Sequence, residues 1–493
     1  MISQHLPALQ VVIPLLTAPV CLLFNNARVA WILSLVANGV ALVIAALLLQ
    51  QVLTAGVITY EIGGWAAPWG IEYRIDPVNA FVLLIVAAIG TVVSSFAPRS
   101  VASEIPEQQI ALFYTAYLLC FAGLLGIAAT GDAFNLFVFL EISSLSTYVL
   151  ISLGRDRRAL TAAFQYLIMG TIGATFILIG VGLLYMMTGT LNMADLAKRL
   201  PVVADTRTVA AALAFLTVGI SLKLALFPLH LWLPNAYAFA PSVVTAFIAA
   251  TATKVAVYML LRFLFTVFGA TLSFEATLLP TILLPLALVA VFSASIVAIF
   301  QDNIKRMLAY SSVAQIGYMI LGLSFVSVTG LTACILHLFN HALMKGGLFL
   351  ALGCVVYQLG SADISKFAGL GRRMPWTFAA IVVGGLSLIG VPLTVGFISK
   401  WYLVLAALES GQWWVAVLVL IGSLLAVAYM WRIVEVAFFQ PAPRQAPRRR
   451  EAPLSLLLPT WVLIGANIFF GINTDLTVGV AERAAMWLLG GAS

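Results

Sequence analysis

The sequence predicts an all-α polytopic membrane protein with about fourteen transmembrane helices, and three observations carry this. The 493-residue chain is 63% hydrophobic and only 9% charged, with mean hydropathy +1.09, whereas soluble domains carry about 25% charged residues. Apolar runs of the roughly 20 residues needed to span a bilayer recur along its whole length. Most of its 25 Lys and Arg residues fall in alternate connections, the pattern that sorts loops to the cytoplasmic side. The net charge of +7 reflects those loops together with lysines inside the apolar runs. No nucleic-acid module is visible, and the partner of the surface is the lipid bilayer.

The first run, residues 7–24, has no Lys or Arg before it. It therefore lacks the charged start of a signal peptide and reads as a transmembrane helix with its N-terminus outside. Further spans are expected near 28–51, 78–97, 108–129, 133–153, 159–188, 208–228, 242–265, 277–300, 304–324, 328–357, 376–402, 411–438 and 453–472. Between the second and third, GVITYEIGGWAAPWGIEYRIDP alternates polar and aromatic residues around turn signals, which predicts a short external hairpin. The seventh span is followed by a short re-entrant piece at 229–238, and the twelfth is interrupted at GVPLTVG (390–396). Loops after odd-numbered spans hold RDRR (155–158), DNIKR (302–306), GRR (371–373) and PAPRQAPRRREAP (441–453). These are expected in the cytoplasm of a bacterial cell, across its inner (plasma) membrane, with both termini outside. The last is either a solvated loop or a site for anionic lipid. Cys21, Cys120, Cys334 and Cys354 lie in apolar runs without zinc spacing and read as small buried hydrophobes.

Spans seven and twelve are broken at FPLH and VPLT. Paired interrupted helices point to inverted repeats with a site near the midplane. The expected organisation is residues 1–107 for the first three spans, a first five-helix repeat at 108–265, a second at 277–438, and 439–493 for the basic loop and last span. A lysine precedes Pro228 in one half and follows Pro392 in the other.

Charges inside the spans are the functional signal, because an ammonium at a helix centre costs at least about 2.5–3.5 kcal/mol on insertion scales. Glu141 sits mid-span in DAFNLFVFLEISSLSTYVL. Desolvation would neutralise a lone carboxylate there, and a nearby ammonium would keep it ionised. Lys223 is the natural partner; the alternative is a static ion pair that serves packing alone. Ser143, Ser144, Ser146 and Thr147 are placed to bind water or to bond back to the helix. Lysine suits proton relay because burial and a movable carboxylate tune its proton affinity, which arginine does not permit. No arginine is expected in mid-span.

His337, His341 and Lys345 are spaced i, i+4, i+8 on one helix face. Imidazole passes protons near neutrality. A hydrogen-bonded structural pair is the bland alternative, and metal binding lacks a completing Glu or Cys nearby. Gly346 and Gly347 beside them mark close helix packing. Lys254 lies among threonines and small residues, and Lys400 follows the break of span twelve, where snorkelling to the interface is the other reading. His230 is a relay group or a cap for the broken helix. The candidate relay is thus Glu141, Lys223, Lys254, His337, His341 and Lys400, with His230 and Lys345 as further members. No P-loop, GxGxxG, haem, iron–sulfur or nucleophile signature is present, so transport is expected rather than an enzyme reaction, with neither cofactor nor metal.

At these residues the sequence resembles the antiporter-like subunits shared by respiratory complex I, membrane-bound hydrogenases and Mrp-type multisubunit cation/proton antiporters. The matching segments are GDAFNLFVFLEISSLSTYVLI (131–151), LKLALFPLHLWLPNAYAFAPSVVTAFIAATATKVAVY (222–258), DNIKRMLAYSSVAQIGYMILG (302–322), HLFNHALMKGGLFLALG (337–353) and VPLTVGFISKW (391–401). The chain looks most like the D-type subunits of Mrp antiporters. It ends about 20 residues after the last span, without a long lateral helix or extra C-terminal helices. The resemblance implies that Glu141 and Lys223 form a charged pair gating proton transfer, that Lys254 and His337/His341 continue it, and that Lys400 is its terminal residue. It further implies other subunits as partners and exchange of protons for Na⁺, with K⁺ or Li⁺ as alternatives. Two other settings share the resemblance. One is the proton-pumping arm of complex I or a hydrogenase, and the other is the membrane partner of an inorganic-carbon uptake complex.

Overall fold

The computed structural model describes residues 2–441 and 451–490. Helices α1 (Leu6–Phe24) and α2 (Ala27–Ala55) form a hairpin turned at Asn25, and Asn26 caps α2 by accepting from the Arg28 and Val29 amides. Strands β1 (Ile58–Glu61) and β2 (Glu72–Ile75) pair antiparallel, Ile58 against Ile75 and Glu61 against Glu72, where the turn signals put a hairpin. Asp76 then opens α3 (Pro77–Glu104) in a reciprocal capping box with Asn79. Next come α4 (Ile110–Ala129), α5 (Ala133–Ser152) and α6 (Arg158–Thr188), close to their expected bounds. Helix α7 (Met193–Val203) lies in a stretch read as loop, because at 11 residues it falls below any spanning length.

The expected seventh span stops early. Helix α8 (Arg207–Leu224) ends where Ala225 turns left-handed at φ 61°. Pro228 has no amide to donate and bars its predecessor from helix, so helix resumes only in α9 (Trp232–Phe239). The eighth span is also interrupted. Helix α10 (Ser242–Ala250) gives way at Thr251 (φ −124°, ψ −59°) to α11 (Ala252–Leu261), followed by a wider π turn over Arg262–Val267. The chain continues through α12 (Leu279–Ile299), α13 (Ile304–Ser324) and α14 (Val328–Leu359). The twelfth span breaks as expected into α15 (Pro375–Ile389) and α16 (Val395–Glu409), with Gly390 left-handed at φ 94°. Helices α17 (Trp413–Val434), α18 (Leu454–Ile472) and α19 (Asp475–Leu488) complete the fold; α19 is the second short helix that a spanning ruler passes over. Thirteen described helices are long and apolar enough to cross a membrane. The remaining expected span, the twelfth, is the broken pair α15/α16. Most of the basic loop expected at 441–453 lies outside the described residues.

Two groups of connections are tied together by backbone and side-chain contacts. At one end Asn303 bridges Asp363, the Arg155 amide bonds to Glu104 O, and Lys305 Nζ lies 3.8 Å from the Glu104 carboxylate, which brings RDRR and DNIKR together. At the other, Tyr73 bridges Thr130 and Asp132 bridges Asn192, whose side-chain amide donates to Glu72 at 2.7 Å.

Helix α14 is the hub. It is buried from Gly330 to Val355 and packs against α3, α10, α13, α15, α16, α18 and α19. A Cβ at Gly346 or Gly347 would come within 2.7 Å of Leu463 or Ile464 on α18, so these two glycines do set a close approach. The break between α15 and α16 is stitched to its neighbours. Asn340 donates to Val395 O at 2.6 Å, the Gly396 amide donates to Ser387 Oγ at 3.3 Å, and Ser387 Oγ donates to Asn467 Oδ1 at 3.0 Å. A Cβ at Gly396 would collide with the Ser387 carbonyl, which is backbone and has no rotamer to yield. Gly396→Ala is therefore expected to lower stability by about 1–3 kcal/mol, as overpacking does. The thermal midpoint of the purified protein in detergent checks this, and an unchanged midpoint refutes it.

Candidate functional site

Three of the four hydroxyls beside Glu141 are spent on helix α5 itself. Ser143 donates to Leu140 O, Ser146 to Ile142 O and Thr147 to Ser143 O. Ser144 is the exception and accepts from Lys223 Nζ at 2.9 Å. The same ammonium lies 4.0 Å from Glu141 Oε1. Lys223 is buried in the last turn of α8, while the Glu141 side chain is 29% exposed. The pair is thus a loose ion pair with one buried and one partly exposed partner, brought together across 82 residues of sequence (223 − 141).

Lys254 is fully buried just beyond the Thr251 break. Its ammonium reaches back to Ala249 O, at the end of α10, and to Thr253 Oγ1 at 3.3 Å. His337 and His341 stack with ring centroids 6.0 Å apart. His337 Nδ1 pairs with Ser399 Oγ at 2.8 Å, next to Lys400 on α16. His337 Nε2 and both ring nitrogens of His341 are buried without a hydrogen-bond partner among the described residues. Ser399 thus joins the histidine pair to α16, the helix that carries Lys400.

Lys345 donates to Leu308 O at 2.8 Å and to Ser311 Oγ on α13. Lys400 is 7% exposed and does not snorkel. Its ammonium donates to Leu388 O (3.2 Å), Ile389 O (2.8 Å) and Ser423 Oγ (2.9 Å), and lies 4.9 Å over the Tyr318 ring. His230 is packed between aromatic rings, stacked on Phe227 at 5.3 Å and edge-on to Tyr310 at 6.2 Å. Its Nδ1 has no partner among the described residues, and none of its contacts is with another candidate.

Two buried pairs escape a reading confined to charges in mid-span. Arg262, near the end of the expected eighth span, is buried and bonds Asp76 at 2.7 Å and the Tyr258 hydroxyl at 3.1 Å. Lys305, counted as a loop residue, is buried 3.8 Å from Glu104 and donates to Ala240 O at 3.0 Å. Glu104 in turn accepts from the Ser242 amide and hydroxyl at 2.9 and 3.0 Å, which caps α10. This second pair lines a cavity of about 370 Å³ between the RDRR and DNIKR loops. The only sequence signal for either pair was the position of each acid beside a helix start or end.

Fold and site together define a class, the polytopic membrane subunits built on broken helices around a row of buried lysines. Residues 130–426 match the NADH:quinone oxidoreductase/Mrp antiporter transmembrane family, and the chain belongs to that family. It is 43% identical to NADH-quinone oxidoreductase subunit N of Desulforudis audaxviator, over 99% of this chain and 100% of that one. It is 29% identical to the D-type Na(+)/H(+) antiporter subunit of Bacillus subtilis, over 98% and 96%. Among solved structures, a chain of the Mrp complex from Dietzia superposes with TM-score 0.90 at 25% identity, covering 99% of this chain and 98% of its own.

Proposed function

We propose that this chain relays protons through the membrane along Glu141, Lys223, Lys254, His337/His341 and Lys400, with Lys345 beside the histidines. We further propose that it serves as the D-type subunit of a multisubunit Na⁺/H⁺ antiporter in the bacterial inner membrane. It is then a transporter subunit rather than an enzyme, and both termini face outward. The observation that carries the reading is the Glu141–Lys223 contact. A carboxylate 4.0 Å away, partly exposed and held by no other bond among the described residues, can approach or leave the ammonium. Each 1.36 kcal/mol of change in that interaction shifts the lysine's proton affinity about tenfold. The remaining lysines are held by carbonyls and hydroxyls within the protein, as a conducting row requires. The paired breaks at Ala225 and Gly390 support the two-repeat organisation over 108–265 and 277–438. His230, apart from the row among aromatic rings, fits a packing role at the break. The Glu104–Lys305 cavity gives protons a polar approach from the end that carries the basic loops.

The test is to affinity-purify the chain from its native membrane and to measure proton flux in everted vesicles on a Na⁺ jump. Small antiporter subunits in the preparation, with Na⁺-dependent flux, are the expected result. A second reading, the proton-pumping arm of a redox enzyme, is favoured by the 43% identity to an oxidoreductase subunit. Hydrophilic iron–sulfur subunits in the same preparation, without Na⁺-dependent flux, would establish it instead. Within either assembly, Ser144→Ala removes a hydrogen bond to a charged group worth about 1.5–3 kcal/mol. It is expected to lower proton flux roughly tenfold or more, and unchanged flux would remove Ser144 from the gate.

A further inference from the structure

His337 is hydrogen-bonded across helices. Its Nδ1 lies 2.8 Å from Ser399 Oγ on α16, and both residues are buried. A serine hydroxyl carries one proton and can accept as well as donate. Ser399 donates that proton to Gly396 O at 3.4 Å, one turn back along α16. The other ring nitrogen, His337 Nε2, is buried with no hydrogen-bond partner among the described residues.

These contacts select a tautomer, because the bond made by one ring nitrogen decides the state of the other. With its proton on Nδ1, neutral His337 donates to Ser399, and Ser399 keeps its bond to Gly396 O. Both protons are then used, and only the Nε2 lone pair is left over. With the proton on Nε2 instead, Ser399 must turn its own proton toward Nδ1. The bond to Gly396 O is lost, and a buried N–H is left without an acceptor. The Nδ1–H form therefore wins by one hydrogen bond.

The serine that makes this choice is held in place. Asn340, between the two histidines on α14, donates to Val395 O at 2.6 Å, and the Gly396 amide donates to Ser387 Oγ of α15 at 3.3 Å. The first turn of α16 is thus fastened to both neighbours. On another side, Tyr318 meets the His337 ring edge-on at 5.9 Å, and the Lys400 ammonium lies 4.9 Å over that same Tyr318 ring.

We propose that Ser399 is a positioning residue that holds neutral His337 as its Nδ1–H tautomer, so that Nε2 is the nitrogen that takes up a proton. Binding a proton at Nε2 converts imidazole to imidazolium. Release from Nε2 restores the starting ring, with Nδ1–H still on Ser399. Passage through the ring, in at Nε2 and out at Nδ1, would need Ser399 to hand on its own proton, and the Gly396 carbonyl that holds it cannot take one. The ring therefore loads and unloads from one side. The consequence for flux rests on the proton-relay reading above, whereas the tautomer follows from the hydrogen bonds alone.

The experiment is nitrogen-15 NMR on the complete assembly in bilayers, labelled in histidine and recorded at about pH 8, where a histidine of ordinary proton affinity is neutral. The His337 signals are identified by their loss in His337→Gln. The wild type is expected to show a proton-bearing Nδ1 and a bare Nε2. Ser399→Ala is expected to show a mixed or Nε2–H form, and Ser399→Thr, which keeps the hydroxyl, should restore the wild-type pattern. A serine that served packing alone would leave this signature unmoved. In everted vesicles, Ser399→Ala is expected to lower proton flux about three- to tenfold, in line with the loss of one hydrogen bond, with Lys223→Ala as reference. A wild-type His337 protonated at Nε2, or a tautomer unchanged in Ser399→Ala, overturns the proposal. The wild-type spectrum decides this even if a variant fails to assemble. An altered tautomer with unaltered flux, in an assembly that Lys223→Ala silences, overturns the role in transport. Flux that survives Lys223→Ala overturns the relay reading instead and leaves the tautomer assignment standing.

Discussion

Lys223→Ala is expected to reduce proton flux at least about a hundredfold, or some 2.7 kcal/mol at 1.36 kcal/mol per decade. Lys223→Arg is expected to do the same. The two substitutions together separate a relay from a static pair. A guanidinium keeps the charge beside Glu141 and the bond to Ser144 but does not give up its proton. If the contact served packing alone, arginine would preserve most of its worth and flux would survive. Glu141→Ala should match Lys223→Ala in flux, because it removes the movable carboxylate, 29% exposed, rather than the buried ammonium. Proton uptake by everted vesicles, normalised to assembled complex, gives the measurement.

The second large effect falls on stability. Asp76→Ala leaves the Arg262 guanidinium buried and unpaired, a change expected to cost about 3–5 kcal/mol. It also removes the acceptor for the Val78 and Asn79 amides at the start of α3, worth about a further 1 kcal/mol. Removing both charges together, as Asp76→Asn with Arg262→Met, should recover most of the loss, since no uncompensated ion remains and the asparagine still caps α3. Thermal unfolding in detergent with a double-mutant cycle checks both. If Asp76→Ala costs under about 1 kcal/mol, the pair is not the anchor that its burial implies.

Much of the fold is legible in the sequence because membrane spans are fixed by length and hydropathy. The expected bounds of 304–324 coincide with α13, and those of 133–153 with α5 to within a residue. The breaks were marked by Pro228 and by GVPLTVG. What escaped was whatever lacks a local signal. Helices α7 and α19 are too short to register as spans. The interruption at Thr251 has no proline; Thr251 Oγ1 bonds back to Phe247 O at 2.7 Å, and the Lys254 side chain occupies the carbonyl of Ala249. Of the candidate site, each single charge was visible as an anomaly in an apolar run. Its partner was visible only where that partner was itself charged and in mid-span, as Glu141 is for Lys223. Serine, tyrosine and carbonyl partners are ordinary residues until the fold juxtaposes them. Ser311, Ser423 and Tyr318 therefore emerge only from three-dimensional contacts, as does the pairing of Ser144 with Lys223.

The break between α15 and α16 has an electrical meaning. The two carbonyls that hold Lys400, Leu388 O and Ile389 O, belong to the last turn of α15. That end of a helix carries about half a negative charge from its aligned peptide dipoles. Lys254 has a similar seat at the end of α10, through Ala249 O. These counter-charges are part of the backbone and cannot be withdrawn, whereas the one facing Lys223 is a side chain that can swing. The row is thus polarised: an adjustable bias acts at Lys223, and constant biases act at Lys254 and Lys400. In the proposed relay, proton affinity is therefore adjustable at Lys223 and fixed by the backbone at Lys254 and Lys400, while the gradient alone sets the direction of net flow.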